Sequence, residues 1–230
     1  MKHIAEAIII AAIIFGCFFY FSKKPVNTVR VVGYASGEYD SDIMKWNISI
    51  QEINSNQLTG QKNLYKNLVL LREYMKEIQL NPSELEIRPS YNYANYNRDG
   101  NVTGYTFEQN FSIPIRDPLR FEEIENMTLD LSILTQKGIN VRNSNVDYFI
   151  SALPDVKKEL IAEATKDAQK RATEVAKVTN TKLKKLLNGK VGVFQITEPL
   201  SVEVQSYGIY NTNTRKKQIS VTMTGEFQLK

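Results

Sequence analysis

The apolar residues of several segments recur at every second position, which is the period of a β-strand. Segment 43–53 has one apolar side, which consists of Met44, Trp46, Ile48 and Ile50. Segment 102–115 has a longer and mostly apolar face, which consists of Tyr105, Phe107, Phe111, Ile113 and Ile115 together with the polar Gln109. Both patterns predict strands with one buried face. Weaker patterns predict further strands at 28–36, 84–93, 139–151, 190–196 and 218–229, and a turn at 37–42.

Three other segments repeat apolar residues every three or four positions, which is typical of a helix with one buried stripe. We predict these helices over 58–80, 118–137 and 156–178. The third helix carries a row of small residues at a spacing of four, namely Ala164, Ala168, Ala172 and Ala176. Such a row drifts only slowly around a helix, so we expect it to pack against a sheet.

The N-terminal segment from Ile4 to Phe21 is apolar, with Glu6 as its only charged residue. A helix needs roughly 20 apolar residues to span a membrane, so a retained anchor is the favoured interpretation. A cleaved secretory signal and a lipoprotein signal with Cys17 as the lipidated residue remain alternatives. The predicted organisation is thus a membrane anchor or signal segment over 1–24 and one α+β domain over 25–230.

The order of the elements predicts an α+β fold. Strand pairs alternate with long helices, which indicates a largely antiparallel sheet with long helices packed on it, preceded by the N-terminal hydrophobic helix. The charges that flank this helix do not decide its orientation. Because no domain precedes it, we expect the following domain to be extracytoplasmic, in the periplasm or cell envelope, or secreted if the segment is cleaved.

The composition argues against several kinds of metal site and catalytic triad in the domain. The chain has one cysteine and one histidine, and both Cys17 and His3 precede the end of the apolar segment. Zinc, copper and haem sites draw on these residues, and Ser or Cys triads use a histidine base. We therefore expect no cofactor, no metal and no enzymatic activity.

The charge balance indicates no nucleic-acid partner. The formal net charge is only +4. Lysines at 182–190 and the basic run 215–217 are predicted to be solvated surface, because no nucleic-acid-binding motif accompanies them.

Tyrosines crowd the hairpin that Asp99-Gly100 predicts between the third and fourth predicted strands. They are Tyr91, Tyr93, Tyr96 and Tyr105. Cross-strand aromatic packing is the favoured explanation. The alternative is an exposed surface for contact with protein, glycan or another subunit.

The segment 95–101 of the same hairpin imitates the start of a calcium-binding loop. Thr106 stands where an EF-hand needs its bidentate glutamate. A hairpin turn is therefore the favoured explanation of its Asn and Asp residues.

The order of these segments resembles the SIMPL-domain family, long catalogued as of unknown function. The segments that carry the resemblance are 29–37, the Tyr91-centred strand, 105–115, the alanine-rich helix 159–176, 182–191 and the final strand around 219–223. The resemblance implies an envelope-located or secreted α+β module that self-associates and has no established catalytic residues. A stress-protective role has been proposed for some members.

We therefore expect a membrane-anchored, extracytoplasmic, non-enzymatic module that acts through self-association and protein contacts. Its partners would be the membrane, through the N-terminal helix, and further copies of the chain. One alternative is a small-molecule or glycan binder that uses the tyrosine hairpin. Another is a hydrolase with an unrecognised carboxylate or Ser-Lys site, which would need convergent polar groups in a pocket.

Overall fold

A computed structural model of the chain describes residues 11–16 and 27–230. Residues 11–16 are helical. The predicted anchor runs from Ile4 to Phe21, and its residues before 11 and after 16 lie outside the described residues. Within the described ranges, no helix combines the length and the apolar character needed to cross a membrane.

The described chain folds into strands and helices in mixed order. The strands are β1 (Thr28–Asp40), β2 (Ile43–Asn54), β3 (Glu86–Ile87), β4 (Tyr91–Tyr96), β5 (Val102–Ile115), β6 (Val141–Phe149), β7 (Leu183–Val191), β8 (Gln195–Thr197), β9 (Ile209–Tyr210) and β10 (Lys216–Leu229). The helices are α1 (Gln57–Glu77), α2 (Phe121–Leu129), α3 (Ser132–Gln136) and α4 (Leu153–Val178). Short 3-10 turns precede β3 and α2, at Pro82–Glu84 and Pro118–Arg120.

The strands form two sheets instead of the one predicted. One sheet has the order β3-β5-β2-β6, with β4 also paired to β5. The other has the order β1-β10-β8-β9, with β7 also paired to β10. Strand β10 pairs antiparallel with β7 and β8, β2 with β5 and β6, and β5 with β3 and β4, whereas β8 and β9 are parallel. The α+β class with mostly antiparallel pairing is confirmed.

The described chain divides into two compact units. The larger unit contains Ser36–Lys158 and Phe194–Ser220. Its core lies between α1 and the inner face of β2 and β5, and it includes Met44, Trp46, Ile48, Ile50, Leu64, Leu68, Leu71, Met75, Phe107, Phe111 and Ile113. These residues are the apolar sides that the alternation of β2 and β5 and the periodicity of α1 predict.

The smaller unit contains residues up to Ala35, Glu159–Val193 and Val221–Lys230. Ala164, Ala168 and Ala172 of α4 are fully buried in it, as the alanine row predicts. The helix comes close to β1 at Gly33, where a Cβ atom would lie 2.1 Å from the carbonyl oxygen of Ala164 and 2.4 Å from the nitrogen of Ala168. Small residues on both elements therefore permit this contact.

Four predictions about element boundaries are wrong. The predicted strand 84–93 is interrupted between β3 and β4, where Pro89 removes a backbone donor. The predicted helix 118–137 is divided at Asp130, whose N–H still bonds Asn126 but whose own backbone is no longer helical. The predicted turn 37–42 is mostly strand, because β1 continues to Asp40. The predicted strand 190–196 is two strands, since β7 ends at Val191 and β8 begins at Gln195. The sequence does not predict the start of β7 at Leu183, because its first residues show no period of two.

Candidate functional site

Strand β4 forms an open edge of its sheet. Its sequence is YNYANY, which contains three tyrosines and no charged residue. Among the described strands it pairs with β5 alone. Exposed edges in natural proteins usually carry charges, prolines or bulges that prevent pairing with another chain. A register shift between Asn95 and Tyr96 is the one such feature that β4 has.

The structure brings only some of the predicted site tyrosines together. Tyr91 lies opposite Glu108 and Tyr93 lies opposite Thr106, so both rings are on the outer face of the sheet. Their exposed fractions are 62% and 52%. Tyr96 lies beyond the register shift and is 65% exposed. Tyr105 is on the inner face and packs against the core.

The calcium-like segment 95–101 comprises the last two residues of β4 and the loop of this hairpin. The side-chain oxygen of Asn97 accepts hydrogen bonds from the backbone N–H groups of Asp99 (3.0 Å) and Asn101 (2.8 Å). Gly100 has φ of 81°, a conformation that glycine adopts without strain. Within residues 11–16 and 27–230, no group of three or more His, Cys, Asp or Glu side chains is placed to hold a metal ion.

The outer face of β2, β5 and β6 contains a second feature, which we call the polar face. It is an open depression of about 290 Å³, and its polar lining consists of Asn47, Ser49, Arg88, Asn110, Asn143, Asn145 and Asp147. The strand register orders these residues in rows. Ser49 lies between Asn110 and Asn143, and Asn47 lies opposite Asn145. The sequence analysis did not single out this surface.

Hydrogen bonds fix the carboxylates at the margins of the polar face. Asp147 accepts from the side chains of Asn47 (2.8 Å) and Thr212 (2.7 Å). Glu86 accepts from Lys45 (2.7 Å) and from Ser112 (3.0 Å). The bond from Lys45, followed by that from Ser112, lowers the pKa of Glu86 below its ordinary value.

Glu108 lies at another margin of the polar face, where it accepts hydrogen bonds from Gln51 (2.7 Å) and from Arg142. This carboxylate therefore has both an amide and a guanidinium partner. It lies opposite Tyr91, so this bonded group separates the exposed tyrosine from the centre of the polar face.

Strand β7 of the other sheet is exposed along nearly its whole length, but its edge differs from that of β4. It contains Lys184, Lys185 and Lys190 in nine residues. Lysines on an edge strand oppose pairing with a second chain. The edge of β7 is therefore positively charged, whereas the edge of β4 carries no charge, and this difference favours strand addition at β4.

The described residues thus form an α+β module with antiparallel sheets, exposed edge strands and no recognisable catalytic constellation. The chain belongs to the SIMPL family, described as "Protein of unknown function (DUF541)", whose model matches residues 29–227. The match confirms the resemblance drawn from the sequence. A comparison with curated proteins found no match.

Proposed function

We propose that this SIMPL protein is a membrane-anchored, extracytoplasmic, non-enzymatic module that acts through self-association and protein contacts. Edge strand β4 would mediate the contact, by antiparallel pairing with β4 of a second copy. Protection of the cell envelope against stress is the physiological context that the family resemblance suggests.

The observation that carries this proposal is the uncharged, aromatic edge of β4. Strand addition to an exposed edge uses backbone hydrogen bonds for affinity and alternate side chains for specificity. A tyrosine side chain supplies a large contact area and a polar hydroxyl. Both suit a surface that is solvent-exposed in the monomer and buried in the complex. A pairing of β4 with its own copy would also bring no like charges together.

A non-enzymatic role is supported by the scarcity of suitable side chains. Beyond Phe21 the chain has no histidine or cysteine. The carboxyl groups with clear pKa shifts, Asp42, Glu86, Asp130 and Asp167, all have lowered values. A general acid at neutral pH needs a raised value instead. The anchored location rests on the apolar segment alone.

Sedimentation velocity of the full chain in mild detergent tests the proposed association. The wild-type protein is expected to form a dimer or larger species whose fraction rises with protein concentration. Tyr91→Lys combined with Tyr93→Lys places two like charges on each β4 edge. We expect this variant to be monomeric with an unchanged circular dichroism spectrum.

Tyr65→Lys is the matched control, because Tyr65 has a similar exposed fraction, 65%, but lies on helix α1. It should associate like the wild type. A wild-type chain that stays monomeric at high concentration would refute the proposal. So would an unchanged association of the β4 variant.

A further inference from the structure

We propose that the polar face is a binding site for an uncharged, hydroxyl-rich ligand, namely a neutral saccharide. This site goes beyond the association described above and uses different residues. It lies on the sheet surface of the larger unit, away from the outer edge of β4.

The residue types on this face are unusual for strands. Asn47, Asn110, Asn143 and Asn145 all occupy strand positions, although asparagine is depleted in strands. A strand surface that needed only to be solvated would favour threonine at these places, because threonine is enriched in strands. Positions where residue choice conflicts with local structure are expected at functional sites.

The amides on the face have unused hydrogen-bonding capacity. Asn47 donates to Asp147 at 2.8 Å. In contrast, no hydrogen bond among the described residues engages the side-chain amide of Asn110, Asn143 or Asn145. A side-chain amide offers two donor hydrogens and an acceptor oxygen. Three such groups on the two strands that flank β2 can therefore match hydroxyl groups, which both donate and accept.

Charge and size restrict the ligand class. Arg88 and Asp147 are the charged side chains that line the depression, and their formal charges cancel. An anionic ligand would be attracted by Arg88 and repelled by Asp147, so a neutral ligand fits best. The volume of about 290 Å³ lies near the lower limit of small-molecule sites. This limit favours one or two sugar rings.

Isothermal titration of the full chain in detergent tests the site, with maltose, cellobiose and N,N′-diacetylchitobiose as probes. We expect at least one of these neutral sugars to bind in the millimolar range or tighter. Asn143→Ala combined with Asn145→Ala should weaken that binding by about tenfold, because two hydrogen-bonding amides are lost. Both residues are exposed, so the fold should be unaffected.

Asn188→Ala is the matched control, since Asn188 is an exposed strand asparagine on β7. It should bind like the wild type. The proposal fails if none of the three sugars binds to the folded chain, or if the double variant binds like the wild type. Tighter binding of digalacturonate or of tetraglycine would also overturn it, in favour of an anionic or a peptide ligand. Sedimentation of the same variants should be unchanged, which separates this test from that of association.

Discussion

Lys217 is a charged residue whose surroundings differ from the sequence expectation. The basic run 215–217 was predicted to be solvated, but Lys217 is fully buried in the larger unit. Its side chain points inward because it alternates in phase with Ile219 on β10. The ammonium group donates to the carbonyl oxygens of Asn211 (2.7 Å) and Thr214 (2.9 Å). It thereby ties the loop before β10 to the strand.

Burial lowers the pKa of Lys217 from 10.5 to about 8, although Asp147 acts in the opposite direction. Below about pH 8 the folded and unfolded chains both carry this proton, so folding must desolvate the charge. Between about 8 and 10.5 only the unfolded chain retains it. The contribution of Lys217 to stability therefore increases with pH across this window.

Lys217→Met should remove this pH-dependent contribution. We expect the difference in unfolding free energy between wild type and variant to increase, in favour of the wild type, from pH 8 to pH 10. Urea unfolding curves at several pH values would measure it. Lys216→Met is the control, because Lys216 is exposed. A difference that is constant with pH would contradict the assignment.

At the scale of elements, the contact of α4 with β1 depends on the absence of side-chain bulk. Ala168 is fully buried, and its neighbour Gly33 leaves no space for a Cβ atom. Ala168→Leu should therefore overpack the contact and lower the unfolding free energy by about 1 to 3 kcal/mol. Denaturant unfolding of the variant would measure the loss.

Lys170→Ala is the control on the exposed side of the same helix and should cost under about 0.5 kcal/mol. A neutral Ala168→Leu together with a destabilising Lys170→Ala would show that the helix faces the other way. A change in sedimentation without loss of stability would instead indicate that the alanine row contacts another subunit.

Periodic elements with one buried face could be predicted from the sequence. The alternation in β2 and β5 identified the inner face of their sheet, and the alanine row identified the packed side of α4. Strand β7 could not be found in this way, since most of its residues are exposed and its sequence has no alternation. The polar face could not be predicted from periodicity because its asparagines lie on three separate strands. The strand asparagines were the available signal.

At the scale of the whole molecule, the anchor prediction stands on the sequence alone. Ile9→Asp combined with Ile13→Asp should release the chain from membranes, since each central Asp costs about 2.5 to 3.5 kcal/mol on insertion scales. Carbonate extraction and intact mass would measure retention and cleavage. A mature chain that begins near Ser22 would contradict the retained anchor.

Association of two copies through β4 would change the solvent protection of that strand. Hydrogen exchange of the full chain, followed at several protein concentrations, measures this protection residue by residue. Pairing of two β4 edges would protect backbone N–H groups of Tyr91–Tyr96 at high concentration, and dilution would remove that protection. Exchange in β7, with its three lysines, should not depend on concentration. Association accompanied by protection of β7 and unchanged exchange in β4 would rule out pairing through β4.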